Sequence, residues 1–296
     1  MNIKPNRSRI RIVRLEDPRE YLRTEQVQRD AWGIEQADII IPFHMMIAAQ
    51  HHGGLVLGAY DGRKMVGCLF GISGHDNKRQ YQYSHITGVL RRYQKRGVGL
   101  LLKKRQRELV LREHIDLVKW TFDPLQAGNA YFNFRKLGAI AREYHRDLYG
   151  RMPDSLNKGM ISDRFEAEWW IRTKRVNDIL HGKRKHLSVS ELTTRKWGVI
   201  NETDLEEGIR RPAKLHLDLN GDRLLFEIPT SIEKVKTRDL DLARKWTFHN
   251  RRAFENYFGK NYVATDVILD RDNGENRVYY LLEHGFRPES SGALAH

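Results

Sequence analysis

Hydrophobic spacing along the first half of the chain alternates between strand-like and helix-like stretches. Residues 10–15 carry the weak apolar alternation of a short strand. Asp17-Pro18 then opens a helix, with a capping side chain followed by proline at the first helical position. That helix is predicted to reach Trp32-Gly33. A second follows Pro42, reaches about Gln50 and ends at His51-His52-Gly53-Gly54. Residues 55–60 and 65–71 read as the strands of a hairpin, with Asp61-Gly62 as the turn signal. A polar loop around 75–78 leads to a further strand over 81–90. The period then changes, and Val98, Leu101, Leu102 and Leu109 fall on one stripe of a helix over 97–113. Val118, Trp120 and Phe122 share a face of a strand over 117–122. A short helix over 129–137, closed by Gly138, and a strand near 142–149 complete the half. The order is β-α-α-β-β-β-α-β-α-β. Strand 81–90, the following helix and strand 117–122 predict a parallel pair joined by a right-handed crossover.

The second half yields strands at 165–171 and 223–228, a helix over 239–258 rich in aromatics (Trp246, Phe248, Phe254, Tyr257), and a hairpin of 262–269 with 278–282 around Asn273-Gly274. Lys183-Arg184-Lys185-His186 reads as a linker or exposed loop. The predicted class is α/β (α+β): a central mixed sheet flanked by helices over residues 1–155, then a second, smaller α/β unit over 160–296. A degenerate copy of the first fold is one reading of the later strand, helix, strand, strand order.

Composition narrows the classes. The 296 residues are 40% hydrophobic and 30% charged, a soluble globular balance with enough apolar material for a sizeable core. No apolar run approaches the ~20 residues of a membrane-spanning helix, and residues 1–7 lack the apolar segment of a secretory signal, so a cytoplasmic protein is expected. The single cysteine, Cys68, excludes an internal disulfide and a multi-cysteine zinc site. Adjacent histidines such as His51-His52 do not converge on one metal, so no metal site is expected. Net charge is +14, carried mostly by residues 1–150, which hold 26 basic and 15 acidic residues. Such a field suits nucleic acid, an anionic membrane surface or a polyphosphate cofactor.

The stretch Val89-Leu90-Arg91-Arg92-Tyr93-Gln94-Lys95-Arg96-Gly97-Val98-Gly99-Leu100 joins a strand end to a helix start. The first N–H groups of a helix have no intrahelical partner and its dipole favours an anion there. Glycines at 97 and 99 permit close approach to the backbone. Residues 91–107 carry eight Lys or Arg and no acid, which suits a pyrophosphate. The Gly-Lys-Ser/Thr of a Walker loop is missing. A dinucleotide fingerprint would need glycine where Leu102 stands.

Gln94-x-x-Gly97-x-Gly99 resembles the acyl-CoA loop, Q/R-x-x-G-x-G/A, of the GNAT (Gcn5-related N-acetyltransferase) superfamily. Val89 stands where that family pairs the strand end with pantetheine. Asn129 to Gly138 resembles the family's next element, an Asn followed by a helix ending in aromatic-x-Lys-Leu-Gly. The resemblance spans residues 9–150. Residues 120–125 and 162–166 also resemble a little-characterised branch of GNAT proteins, and that resemblance implies acylation of an amino acid, with a succinyl rather than an acetyl group.

The resemblance implies a GNAT-like sheet and an acyl-CoA co-substrate. Lys95, Arg96, Gly97, Val98, Gly99 and Leu100 would cradle its pyrophosphate, and Val89 and Asn129 would hold the pantetheine arm. The acceptor would be a small-molecule amine; neither a membrane nor nucleic acid is expected as partner, since no nucleic-acid-binding signature accompanies the basic stripe. Two departures stand out. Arg91 occupies a position where the family usually has proline. Phe134 occupies the position of the family's general acid, a tyrosine, and cannot give a proton to a leaving thiolate. Tyr131, three residues earlier, is the alternative acid, or else a core aromatic. His85 and Asp123 are the candidate bases. Direct transfer without a covalent intermediate is expected, because Cys68 lies mid-strand. A catalytically weakened acyl-CoA sensor is the competing reading, and Phe134 favours it.

Overall fold

A computed structural model describes residues 10–34, 39–77, 79–150, 152, 158–184, 197–270 and 276–288. They fall into two compact units. One ends at Trp120 and the other begins at Thr121.

In the first unit, β1 (Ile10–Arg14) is followed by α1 (Pro18–Trp32) and α2 (Phe43–His51). The ends of α1 form as its sequence dictates. Asp17 accepts from the Arg19 amide, Pro18 sits in the first turn, and Gly33 closes the helix at φ 64°. β2 (Leu55–Asp61), β3 (Lys64–His75), β4 (Gln80–Val89), α3 (Val98–Arg112) and β5 (Leu117–Phe122) follow. The strands lie in the order β1-β2-β3-β4-β5. The first four are mutually antiparallel, while β4 and β5 are parallel, as the crossover predicts. Asp61 pairs with Lys64, so the hairpin loop residues are Gly62 and Arg63, one place beyond the turn signal.

The buried side of α3 differs from its apolar stripe. Val98, Leu102, Lys103, Gln106 and Val110 are buried, and Leu101 and Leu109 are only half-buried. Two polar side chains, Lys103 and Gln106, therefore point inward.

The second unit contains α4 (Ala127–Tyr131), which runs into a wide π-helical turn over Phe132–Leu137 and ends at Gly138 with φ 78°. β6 (Ile140–His145), β7 (Arg164–Trp170) and α5 (Lys174–Leu180) come next. β8 (Gly198–Val199), β9 (Asn201–Glu206), β10 (Ile209–Leu215) and β11 (Arg223–Ile228) precede α6 (Ile232–Arg238) and α7 (Leu240–Gly259). β12 (Tyr262–Asp270) and β13 (Arg277–His284) close the unit. The main sheet here is also mixed, in the order β7-β6-β12-β13-β11-β8, while β9 and β10 pair separately. Its core is aromatic: the Phe165 ring lies 4.6 Å from that of Phe254 and 5.5 Å from that of Tyr280. The expected hairpin pairs as β12 with β13. Its Asn273-Gly274 turn, and Lys185-His186 of the basic run, lie outside the described residues.

The sequence places a boundary near residue 155, whereas the compact units divide at 120. The pairing explains the position of the division. β6 lies between β7 and β12, with Ala141 opposite Ala264, so Ile140–His145 is built into the later sheet and ties the segment that leads to it to that unit. No helix among the described residues is long and apolar enough to cross a membrane.

Candidate functional site

The strand-to-helix loop of the first unit begins where β4 ends. Leu90 N–H donates to Val66 O at 3.0 Å, which anchors the exit to β3. A single 3-10 turn over Arg91–Tyr93 follows. Tyr93 is fixed by its hydroxyl, 3.0 Å from Asp61 Oδ2, and carries the guanidinium groups of Arg92 and Arg96 at 5.2 and 5.8 Å from its ring. Gln94 donates its side-chain amide to the Val89 carbonyl at 3.1 Å, stapling the loop to the strand end. That bond engages the carbonyl of Val89, the residue whose backbone the resemblance assigns to pantetheine.

Lys95 then takes φ 59° and Gly97 takes φ 89°. The second value lies in the left-handed region, where a β-carbon is strained, so the glycine has a backbone reason at that position. Gly97 caps α3 without any side-chain hydrogen bond, and the first bond of the helix, Leu101 N–H to Gly97 O, is 3.0 Å. The amides of Val98, Gly99 and Leu100 occupy the first turn, where an α-helix supplies no acceptor. Gln94, Lys95 and Arg96 are exposed around it, and Val98 is buried beneath. These residues fit a pyrophosphate: amides without a side-chain cap, a backbone bare of side chain at Gly97, and exposed cations at the rim.

β4 and β5 pair at Gln82–Val118 and Tyr83–Lys119, and the ladder extends no further among the described residues. At that level β4 also carries a bulge. Phe70 faces Ile86 and Gly71 faces Ser84, so His85 is the extra residue. Its ring packs edge-on to Phe70 and is open to solvent, yet the surrounding bulk holds its pKa below the usual imidazole value by desolvation. His85 is therefore neutral, and able to accept a proton, somewhat further into acid than an ordinary histidine.

Beneath the bulge lies a buried polar cluster that periodicity alone did not reveal. Lys103, 3% exposed, donates from Nζ to Ser84 Oγ at 3.1 Å and sits 3.9 Å from the Trp120 ring centroid. Ser84 donates to Gln106 Oε1 at 3.4 Å, and Gln106 Nε2 donates to Gln82 Oε1 at 2.6 Å. Desolvation pushes the Lys103 pKa well below the usual lysine value. Lys103 thus belongs to the interior and is not one of the cations around the loop, which corrects the count of eight read from residues 91–107. The signal was present in the sequence: Gln82 and Ser84 share the parity of buried Ile86 and Gly88, and Lys103 and Gln106 stand three apart on the inward side of α3.

The remaining candidates lie in the second unit. Asp123 accepts from the Leu125 amide at 2.9 Å, and burial raises its pKa against the opposing pull of Arg164. Asn129 is exposed, and Tyr131 is half-buried with the Lys136 ammonium 5.5 Å from its ring. Phe134 is fully buried, 6.1 Å from the ring of Phe122 and 5.6 Å from that of Tyr280. Tyr131 and Phe134 do not keep the α-helical i, i+3 relation expected of them, because α4 ends at Tyr131 and the π turn begins at Phe132. Glu143, His145 and Glu166 bring three possible ligand atoms within 4.8 Å of one another on β6 and β7.

No family model and no curated protein matches the chain. The solved structures to which it is similar include GNAT-family acetyltransferases. A GNAT-family acetyltransferase from Desulfovibrio desulfuricans is 16% identical over 55% of this chain and 99% of its own, with a TM-score of 0.44. The ribosomal-protein-S18-alanine N-acetyltransferase from Escherichia coli is 14% identical over 55% and 94%, with a TM-score of 0.43. An aminoglycoside acetyltransferase from an uncultured soil metagenomic sample is 16% identical over 43% and 86%, with a TM-score of 0.39.

Proposed function

We propose that the chain is a GNAT-type N-acyltransferase that takes an acyl group from acyl-CoA and passes it to a primary amine. The observation that carries the proposal is the coincidence, in one unit, of the uncapped α3 N-terminus at Gly97 with a parallel β4–β5 pair that stops at Tyr83–Lys119, directly beside a bulge. The loop motif read from the sequence supports the same assignment. Bound acyl-CoA would supply the thioester and a leaving thiolate.

The chain's own residues do the rest. The amides of Val98, Gly99 and Leu100, with Lys95 and Arg96, hold the pyrophosphate. The end of β4 through Val89 aligns the pantetheine arm. A backbone amide of the strand end would polarise the thioester oxygen and stabilise the negative charge that develops on it. His85 accepts the proton of the attacking amine, directly or through one water. Acetyl and succinyl donors, and an amino acid as acceptor, belong to this proposal. Asn129, Tyr131 and Asp123 keep their proposed roles in holding pantetheine, as acid and as second base, and substitution tests each.

Gly97→Val tests the assignment. The β-branched side chain is strained at φ 89° and fills the phosphate approach, so coenzyme A binding by calorimetry is expected to vanish while the circular dichroism stays that of the wild type. Undiminished affinity in a folded Gly97→Val protein would remove the loop from the proposal. A second reading, acyl-CoA binding without turnover, is favoured by the burial of Phe134 in the aromatic core. Tight coenzyme A binding with no release of free coenzyme A from acetyl- or succinyl-CoA, against any pooled amine, selects that reading.

A further inference from the structure

The second unit carries a basic cavity of about 380 Å³ lined by Lys174, Arg175, Asp178, Arg184, Arg223, Glu283 and Phe286. Two of its cations are already paired. Lys174 bonds Asp178, and Arg223 meets Glu283 at 2.8 Å. Glu283 is further engaged by the Thr265 hydroxyl at 2.6 Å. Arg175 and Arg184 are different. Among the described residues neither has a carboxylate within ion-pair distance.

Arg175 is the unusual one, because only 6% of it is exposed. Its polar partners are neutral carbonyls, Thr265 O and, at 3.4 Å, Gly138 O, and its guanidinium lies 5.5 Å from the Phe286 ring. A guanidinium deprived of water is costly to bury, and the carboxylates nearest to it are already engaged, Asp266 by Arg135 and Glu283 by Arg223 and Thr265. Burial, with Arg184 adding like-charge repulsion, lowers its pKa to about 10 against the opposing pull of Asp266 and Glu283. An anion in the cavity would offset both terms. Guanidinium forks match the paired oxygens of a carboxylate or a phosphate, and the cavity has room for a small organic molecule bearing one.

We propose that this cavity is a binding site for a small oxyanion, a carboxylate or a phosphate monoester, held by Arg175 and Arg184 with Phe286 as its apolar wall. The site is independent of the acyl-CoA loop and of the function proposed for it.

The test is calorimetry of the full-length protein with inorganic phosphate and, separately, with succinate, at low ionic strength. Three proteins are compared: wild type, Arg184→Glu, and a Lys95→Ala/Arg96→Ala variant that strips the loop cations. Arg184 is half-buried and has no carboxylate partner among the described residues, so its replacement is compatible with folding, which the thermal transition checks. Binding of at least one anion to wild type, retained in the loop variant and weakened roughly 30-fold or more in Arg184→Glu, is the expected result. The anion that binds tells phosphate from carboxylate. Failure of both anions to bind wild type overturns the proposal. So does equal binding to Arg184→Glu, or loss only in the loop variant, which would move the anion to the α3 N-terminus.

Discussion

Lys103 illustrates how one buried amine can be misread as a surface charge. It lies among basic neighbours in the sequence, but the structure gives it Ser84 and Trp120 as company. Methionine keeps the length of the side chain and its contact with Trp120, spares the desolvation of a buried ammonium, and leaves Ser84 bonded to Gln106. Lys103→Met is therefore expected to fold, to shift stability by less than about 1.5 kcal/mol, and, if the proposed acyl-CoA loop is right, to match wild type in its affinity for ADP, the pyrophosphate end of the proposed co-substrate. An ADP affinity as weak as that of Arg96→Ala would return Lys103 to the loop. His249 gives the molecule a pH dependence of known sign. Its Nε2 is buried with no partner among the described residues, its ring packs against Phe226 and Trp246, and burial, with Arg252, lowers its pKa to about 4. The unfolded chain takes up a proton near pH 6.5, and the folded chain not until about 4. Stability contributed by the neutral ring is complete above pH 6.5 and falls as pH drops towards 4, by an amount on the order of 1–2 kcal/mol once solvent screening of the partly exposed ring is allowed for. Urea unfolding between pH 7 and 4 should display that slope in wild type and lose it in His249→Gln.

Among the elements, helix ends and hairpins were legible because their signals are local. Asp17, Pro18 and Gly33 mark α1, and Gly138 ends the π turn as it would end an α-helix. The parallel β4–β5 pair followed from the crossover. The bulge at His85 did not, since it is a property of register between β3 and β4 and leaves no mark on either strand alone. The π turn over Phe132–Leu137 was equally hidden, and it alters the chemistry expected of that segment. With Phe134 fully buried against the rings of Phe122 and Tyr280, a hydroxyl added there must be accommodated in a packed aromatic interior. Phe134→Tyr is thus expected to cost about 1–3 kcal/mol in chemical denaturation and to restore no activity, although it restores the residue of the resembled family. Tyr131→Phe is its counterpart. General acid help is worth ~10²–10⁴-fold, so kcat should fall by that much or less with coenzyme A affinity unchanged. A kcat untouched across the pH range would assign the proton to water.

At the scale of the whole molecule, the division at residue 120 has a direct test. A chain cut at 155 keeps β6 but removes β7 and β12, the strands on either side of it. Hydrogen exchange over 121–152 is expected to be slow in the full-length protein and fast in the fragment; equal protection in both would make that segment independent of the later sheet. The charge excess of residues 1–150 predicted where anions would be attracted, yet the cavity at Arg175 lies in the half with the smaller excess, because what matters there is burial of the individual guanidinium. The same burial governs the single thiol. Cys68 is 1% exposed on β3, and desolvation pushes its pKa to about 12. Colorimetric disulfide reagents and mild oxidants act on accessible thiolates. The folded protein should therefore be spectroscopically silent towards such reagents, and every equivalent of colour in an assay mixture can be credited to the coenzyme.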